Sequence, residues 1–494
     1  MATATPIRAI VGRFFCDFAY NAMDEVLRVR PFEFAAIVSK GVDPKYFTAI
    51  PRERQEWFVS SKIRSCEYAG VDWGSLAPLD EGLVESMREC ECIFMALVWR
   101  LEWKREFSYQ QRKRWYLRHL RFWNDYLDRN RINLYVSAWT PHEIPDVVIY
   151  ELCKLKGIKV LFFECASFVR DTSFLEHDWE VGPPQIGARY QELVKEFAGV
   201  TDPMKVPLSA PYEERYTALT AVEGSRPPAY YNQWIPYWNS LKRTAKNAPT
   251  AFVGYIAQYC TPAGWKRAAG TLNRNVVMRG RNRFYDAHAV EPDVTKKYVY
   301  LPLHFQPEIA TTPLAGAFVD QVLMAHMLNA TLPDDVLIYV KEHPWESAWT
   351  VRSIDEYKDF LELPKVRLIS RSASTFALRE HCAAVATATG TAGGEALFRG
   401  KPVFLFGHRF YQDAPGVHKI HSLEDCTNAV RAIFTEGKKP TLTECRLFLK
   451  AMEDTRIHGV LDPEHVDVSL LKTENHSRAH SEVIQKELSG WFGS

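Results

Sequence analysis

From Lys297 onward, short apolar runs alternate with amphipathic stretches: KYVYLPL, AFVDQVLMAHMLNATL, DVLIYVKEHP, KVRLIS, STFALREHC, AAVATATG, GGEALFRG and PVFLFG. Their periods predict strand, helix, strand, strand, helix, strand, helix and strand, the signature of a doubly wound α/β domain. An earlier unit follows the same logic. INLYVSAWTPHE predicts a strand, DVVIYELCKLKGI an amphipathic helix and KVLFFECASF a second strand, so a parallel βαβ unit is expected there.

The remaining pattern divides the chain. From Pro51 to about Asp128, Trp, Arg, Glu and Leu recur at helical spacing, as in LVESMRECECIFMALVWRLEW, with few strand signals. Residues from Gly199 to Asn247, such as EGSRPPAYYNQWIPYW, show no clear period and predict irregular structure. TPAGWKRAAGTLNRNVVMRGRNRF is basic and short of apolar runs, as a linker lining a cleft would be. The expected organisation is an N-terminal α/β domain over 1–247 with a helical insertion at about 51–128. A basic linker over 248–296, a second α/β domain over 297–440 and closing helices over 441–494 follow.

Composition narrows the class. With 47% hydrophobic and 24% charged residues, the 494-residue chain is globular and long enough for two or three domains. A formal net charge of +1 gives no global field that favours nucleic acid. Ten cysteines lie scattered without a CxxC pair or a His partner at zinc-finger spacing, which predicts reduced, mostly buried thiols and no metal. No run of eighteen uncharged apolar residues occurs, so a cytoplasmic protein is expected, with peripheral contact at the inner face of a membrane left open. KREFSYQQRKRWYLRHLRFW interleaves basic and aromatic residues; a solvated helix with one packed aromatic face is the favoured reading over a lipid-binding surface.

Three polar turns fall at the carboxyl ends of predicted strands in the second domain, where ligands bind in open parallel sheets. TGTAGGE combines Gly390 and Gly393, which let a ligand or backbone come close, with the hydroxyls of Thr389 and Thr391 at a helix start, a combination suited to phosphate. It is not a Walker A loop, because the glycine spacing is one residue too long and Pro402 stands where Ser or Thr belongs. Glu395 either accepts from a ribose diol or complements the helix dipole. In KEHP, Lys341 and His343 offer a point charge and a titratable donor. HFQPE supplies His304, Gln306 and Glu308 for a polar ligand, or for a loop held by its own hydrogen bonds.

YLPLHFQPE, VDQVLMAHML, IYVKEHP and TATGTAGGEALFRGKPVFLFG, in that order and spacing, resemble the capsule polysaccharide biosynthesis family of bacterial surface-carbohydrate proteins, over roughly Lys297 to Val430. Members include transferases of 3-deoxy-manno-octulosonic acid (Kdo). The resemblance implies a GT-B-like glycosyltransferase, two Rossmann-like domains facing across a cleft, with a CMP-activated sugar acid as donor substrate and no cofactor. Its acceptor would be a glycan or glycolipid. The dipeptide His343–Pro344 is similar to the HP motif of bacterial sialyltransferases, which implies that His343 meets the donor phosphate, supported by Thr389, Gly390 and Thr391 with Glu395 near the nucleotide.

If the donor occupies the second domain, the acceptor is expected to be activated from the first. His142 and Glu143 in TPHEIPD are the leading candidates, with helix capping after Thr140 as the alternative; Glu164 and Asp171 follow them. Rival readings are a UDP- or GDP-sugar enzyme, including a sugar 2-epimerase, and a non-catalytic glycan-binding or export factor that keeps the fold.

Overall fold

The computed structural model describes residues 5–102, 107–166, 169–221, 276–306, 308–344, 346, 352–466 and 469–493. Its strands are β1 (Arg8–Gly12), β2 (Phe34–Ser39), β3 (Gln55–Val59), β4 (Leu134–Ser137), β5 (Lys159–Cys165), β6 (Thr172–Glu176), β7 (Tyr298–Pro302), β8 (Leu337–Lys341), β9 (Val366–Leu368), β10 (Ala384–Thr387), β11 (Val403–Leu405), β12 (Val417–Lys419) and β13 (Ile457–His458). Among the described residues they form two sheets, ordered β13-β6-β5-β4-β1-β2-β3 and β12-β11-β10-β7-β8-β9.

Alternation along β1 explains how the first sheet is covered on both faces. Ile7, Ala9 and Val11 enter a core shared with the helices Asp17–Val29 and Thr473–Phe492, while Ile10 faces a second core with Phe94, Tyr116, Leu120 and Trp123. Each such aliphatic side chain, fully buried, stabilises the fold by about 1.5–3 kcal/mol before entropy is counted. Strands β3, β2, β1, β4 and β5 run parallel, and β6 and β13 extend the sheet by antiparallel pairing. The second sheet is parallel throughout. Two doubly wound units with mainly parallel sheets agree with the GT-B-like expectation.

Four expectations change in detail. The insertion over 51–128 is not wholly helical, because Gln55–Val59 pairs with β2 as the sheet's edge; its QEWFV sequence is half-exposed and reads weakly as strand. Ala210–Thr220, inside the stretch expected to be irregular, is a helix, while 222–247 lie outside the described residues. Of the expected linker, 248–275 lie outside them and 276–288 are helical, with Val290 bridging to Ile369. The C-terminal stretch closes with more than helices: β13 joins the first sheet, so the chain ends against the domain in which it began.

Among the described residues no helix is long and apolar enough to cross a membrane. In the Trp/Arg-rich helix Tyr109–Arg129, Tyr116, Trp123 and Tyr126 are buried. Its basic residues are largely engaged: Arg112 pairs with Glu102, Lys113 with Glu91 and Arg129 with Asp125, and Arg118 lies 3.7 Å over the Trp73 ring.

Candidate functional site

Strand order reverses at β7/β10 in the second sheet and at β1/β4 in the first, and at such a switch point the loops leaving the two strands diverge and open a crevice. The side chains that follow these strands meet one another. After β7, His304 Nε2 lies 3.0 Å from Thr387 Oγ1 and accepts from the Thr389 amide at 3.3 Å. After β1, Arg13 donates to Asp146 at 3.0 Å and reaches His142 Nε2 at 3.3 Å after β4.

The glycine-rich turn is built against His304. The Gly390 amide donates to Thr387 Oγ1 at 3.0 Å, and Thr389 Oγ1 donates to the Ala310 carbonyl at 2.6 Å. A Cβ on Gly390 would stand 2.8 Å from Thr387 Oγ1 and 2.9 Å from His304 Cε1; one on Gly393 would stand 2.8 Å from the Tyr411 hydroxyl. Both glycines are thus required by close packing of the turn's own neighbours. Thr391 opens the helix Thr391–Leu397. Burial first, then the charges of His343, Arg352 and Arg409, press the His304 pKa down to about 3. His304 is therefore a neutral acceptor for the turn.

The other predicted positions lie in differing surroundings. Lys341, at the end of β8, is buried, and burial lowers its pKa, with Arg371 adding to the effect and Glu342 opposing it. His343 is half-exposed with its ring 5.9 Å from Phe305; burial, then Lys341 and Arg352, lower its pKa to about 4. Gln306 is buried and donates to the Val319 carbonyl, and the Glu308 carbonyl accepts from the amides of Thr311 and Thr312, so both residues bond to the chain that follows them. Glu395 is paired with Arg379 and lies 3.9 Å from Arg215.

On the facing domain, Arg100 is the joint. Partly buried, it donates to the His142 carbonyl at 2.5 Å and to the Thr312 carbonyl at 2.7 Å, connecting the turn after β4 to the loop after β7. His142 Nδ1 donates to the Thr140 carbonyl at 2.7 Å, while burial and then Arg13 and Arg100 drive its pKa well down. It is a weak base held in one orientation. Glu143 precedes the helix Ile144–Leu155 without a side-chain cap and stands 3.5 Å from Arg64, so the capping alternative is not what forms. Glu164 is buried against Arg409. Asp171 accepts from the Ser469 hydroxyl and from the Leu470 amide at 3.2 Å.

Sequence reading missed Arg13, Arg100, Arg352 and Arg409, the cations that set the field here. Only Arg13 carried a local signal, standing in VGRFF directly after an apolar run. Among the described residues, the His, Cys and acidic atoms close enough to share one metal ion belong to Cys165, Asp462 and His465 and include none of the predicted site residues.

Residues 249–455 match the family described as capsule polysaccharide biosynthesis protein. No curated protein matches the chain. Among solved structures, the UDP-GlcNAc 2-epimerase from Methanocaldococcus jannaschii is similar at 11% identity over 91% of this chain and 100% of that one, with a TM-score of 0.26. Anabaena Alr3699/HepE in complex with UDP is similar at 11% identity over 98% and 100%, with a TM-score of 0.29. Thermosulfurimonas dismutans KpsC, a beta Kdo 2,7 transferase, is similar at 12% identity over 76% and 97%, with a TM-score of 0.25. The matched stretch, residues 249–455, carries all three polar turns.

Proposed function

We propose that the protein is a glycosyltransferase of surface or capsular polysaccharide synthesis that takes a sugar from a nucleotide donor, a CMP-activated sugar acid such as Kdo, and adds it to a glycan or glycolipid. The observation that carries this reading is the convergence of the His304, His343 and Thr389–Thr391 turns at one switch point, inside the segment that matches the family.

In this reading the donor phosphate lies between the Thr389–Thr391 turn and the Lys341/His343 pair. The turn offers hydroxyl and amide donors and the pair offers positive charge and a ring N–H, which stabilise charge growing on the leaving CMP phosphate. The acceptor hydroxyl approaches from the first domain. Glu143 is the preferred base over His142, whose Nδ1 proton is committed to Thr140 and whose Nε2 faces Arg13. The hydroxyl proton passes to the Glu143 carboxylate, the acceptor oxygen bonds to the anomeric carbon, and the bond from that carbon to the phosphate oxygen breaks with its electrons leaving on CMP.

Thermal unfolding with CMP, CDP, UDP and GDP tests the donor. A nucleotide at a hundred times its Kd stabilises the native state by about 2.7 kcal/mol. Stabilisation by CMP that is lost in His343→Ala supports the proposal. A response only to UDP or GDP replaces the donor class, and no response to any nucleotide favours a non-catalytic glycan-binding or export factor.

A further inference from the structure

The antiparallel end of the first sheet brings together three side chains that the sequence keeps far apart. Cys165 closes β5 and pairs in register with Ser173 of β6, and Ser173 pairs in turn with Ile457 of β13. The Ser173 hydroxyl donates to the Gly459 carbonyl at 2.9 Å, fixing where the chain leaves β13. The chain then turns back, so that Asp462 and His465, on either side of the helical turn's first residues at Pro463–Val466, come beside Cys165.

The geometry is that of a ligand set. Cys165 Sγ, an Asp462 carboxylate oxygen and a His465 ring nitrogen all lie within 4.8 Å of one another, and all three residues are partly exposed. His465 Nδ1 stands 3.1 Å from Asp462 Oδ2. Two ligands at about 2.0 Å from a tetrahedral ion stand about 3.3 Å apart, so this pair already spans one edge. The segment is held independently of any ion: the amides of His465 and Val466 both donate to the Asp462 carbonyl, and Cys16 Sγ approaches the Leu461 carbonyl at 3.8 Å from the loop after β1.

We propose that Cys165, Asp462 and His465 form a site for a divalent ion of borderline softness, of the Zn²⁺ class. Thiolate, carboxylate and imidazole suit such an ion better than Mg²⁺ or Ca²⁺, which take oxygen ligands. One thiolate and one carboxylate balance its two positive charges. Three protein ligands leave the fourth tetrahedral position to water or a small ligand. The ion would fasten the returning C-terminal segment to β5 on the same sheet edge as the His142 turn. This inference does not depend on the proposed transferase activity.

Co²⁺ titration of the metal-stripped full chain tests the site, because a thiolate bound to tetrahedral Co²⁺ gives a charge-transfer band together with intense visible d–d bands. Saturation at about one ion per chain and displacement by Zn²⁺ are expected. The charge-transfer band should vanish in Cys165→Ser and be unchanged in Cys92→Ser, which removes an exposed thiol elsewhere. His465→Ala, with native circular dichroism as the check on folding, should lose tight binding while keeping its thiol. Absence of the band in the wild-type chain, or its persistence in Cys165→Ser, overturns the proposal.

Discussion

Glu164, on β5 of the first sheet, forms a buried ion pair at 2.9 Å with Arg409, which follows β11 of the second. The pair joins the two α/β units on the inner side of their contact. Glu176 of β6 lies against it, and burial first, then the charge of Glu164, push the Glu176 carboxyl well above the ordinary range.

Removing one partner of a buried pair leaves the other charge uncompensated, at a cost of about 3–5 kcal/mol. Glu164→Gln should lower the unfolding free energy read from urea denaturation by an amount in that range. Glu176→Gln mimics the protonated acid without the cost of taking up a proton on folding, so it should raise the urea midpoint at pH 7. A raised carboxyl pKa contributes stability that is complete below the unfolded value and is lost as pH rises toward the folded one, so Glu176→Gln should also flatten the fall in stability above the ordinary carboxyl range. Equal losses in the two variants would sink this division of roles.

Gly393 tests the packing under the polar turn. A Cβ there would meet the Tyr411 hydroxyl at 2.8 Å, Thr387 Cγ2 at 2.9 Å and Val403 Cγ1 at 3.1 Å, contacts from three sides that cannot all move away. Gly393→Ala should cost about 1–3 kcal/mol by overpacking and weaken nucleotide binding by displacing the turn. Gly437→Ala is the contrasting control: its φ of 68° strains the backbone, but no neighbour stands within 4 Å. It should lose stability without losing nucleotide response.

The second domain was legible because its parallel strands are buried on both faces and read as uninterrupted apolar runs, such as VLIYV and VFLFG. β3 was not, because an edge strand with Gln55 and Glu56 among its five residues carries little apolar signal. β12, Val417–Lys419, is shorter still and takes its strand conformation from pairing with β11. At the site, sequence reading placed the three turns on one edge, since strand order alone puts them there. It could not show that His304 serves the turn or that Asp171 serves Ser469, because those partners are chosen by tertiary contact. Arg100 was invisible for the same reason: nothing local distinguishes a surface arginine from one whose guanidinium joins two loops.

Buried neutral histidines give the fold an acid-side weakness. Burial presses His119 and His304 to about 3 and His480 to about 4. In the unfolded chain each titrates near 6.5. A depressed pKa means that the unfolded state binds more protons, so stability is complete above about 6.5 and falls as pH drops toward the folded values, by up to about 1.4 kcal/mol per pH unit for each group. Urea unfolding between pH 7.5 and 4.5 should show this slope. His119→Phe removes the hydrogen bond with Tyr68 at 2.6 Å and should lower stability at pH 7.5, yet reduce the slope below pH 6.5. An unchanged slope would show that His119 is not among the groups that titrate.

His343 tests the donor side of the proposed function. It is half-exposed, and burial, Lys341 and Arg352 hold its free pKa near 4, so it is neutral at pH 7 before a donor arrives. A phosphate beside it would favour the imidazolium and raise that pKa, and whatever raises the pKa on binding makes binding tighter at lower pH. A CMP-linked sugar acid is the right probe, because its phosphodiester keeps one charge across the range. Its Kd should fall as pH is lowered from 8 toward 5 in the wild-type chain. In His343→Ala the binding should be weaker and its pH dependence much flatter, with the unfolding midpoint without ligand changed little. His304→Ala should do the reverse, lowering the midpoint by removing the acceptor of the Thr389 amide. If both variants only lose stability, His343 belongs to the fold with His304, and the donor phosphate must be met elsewhere.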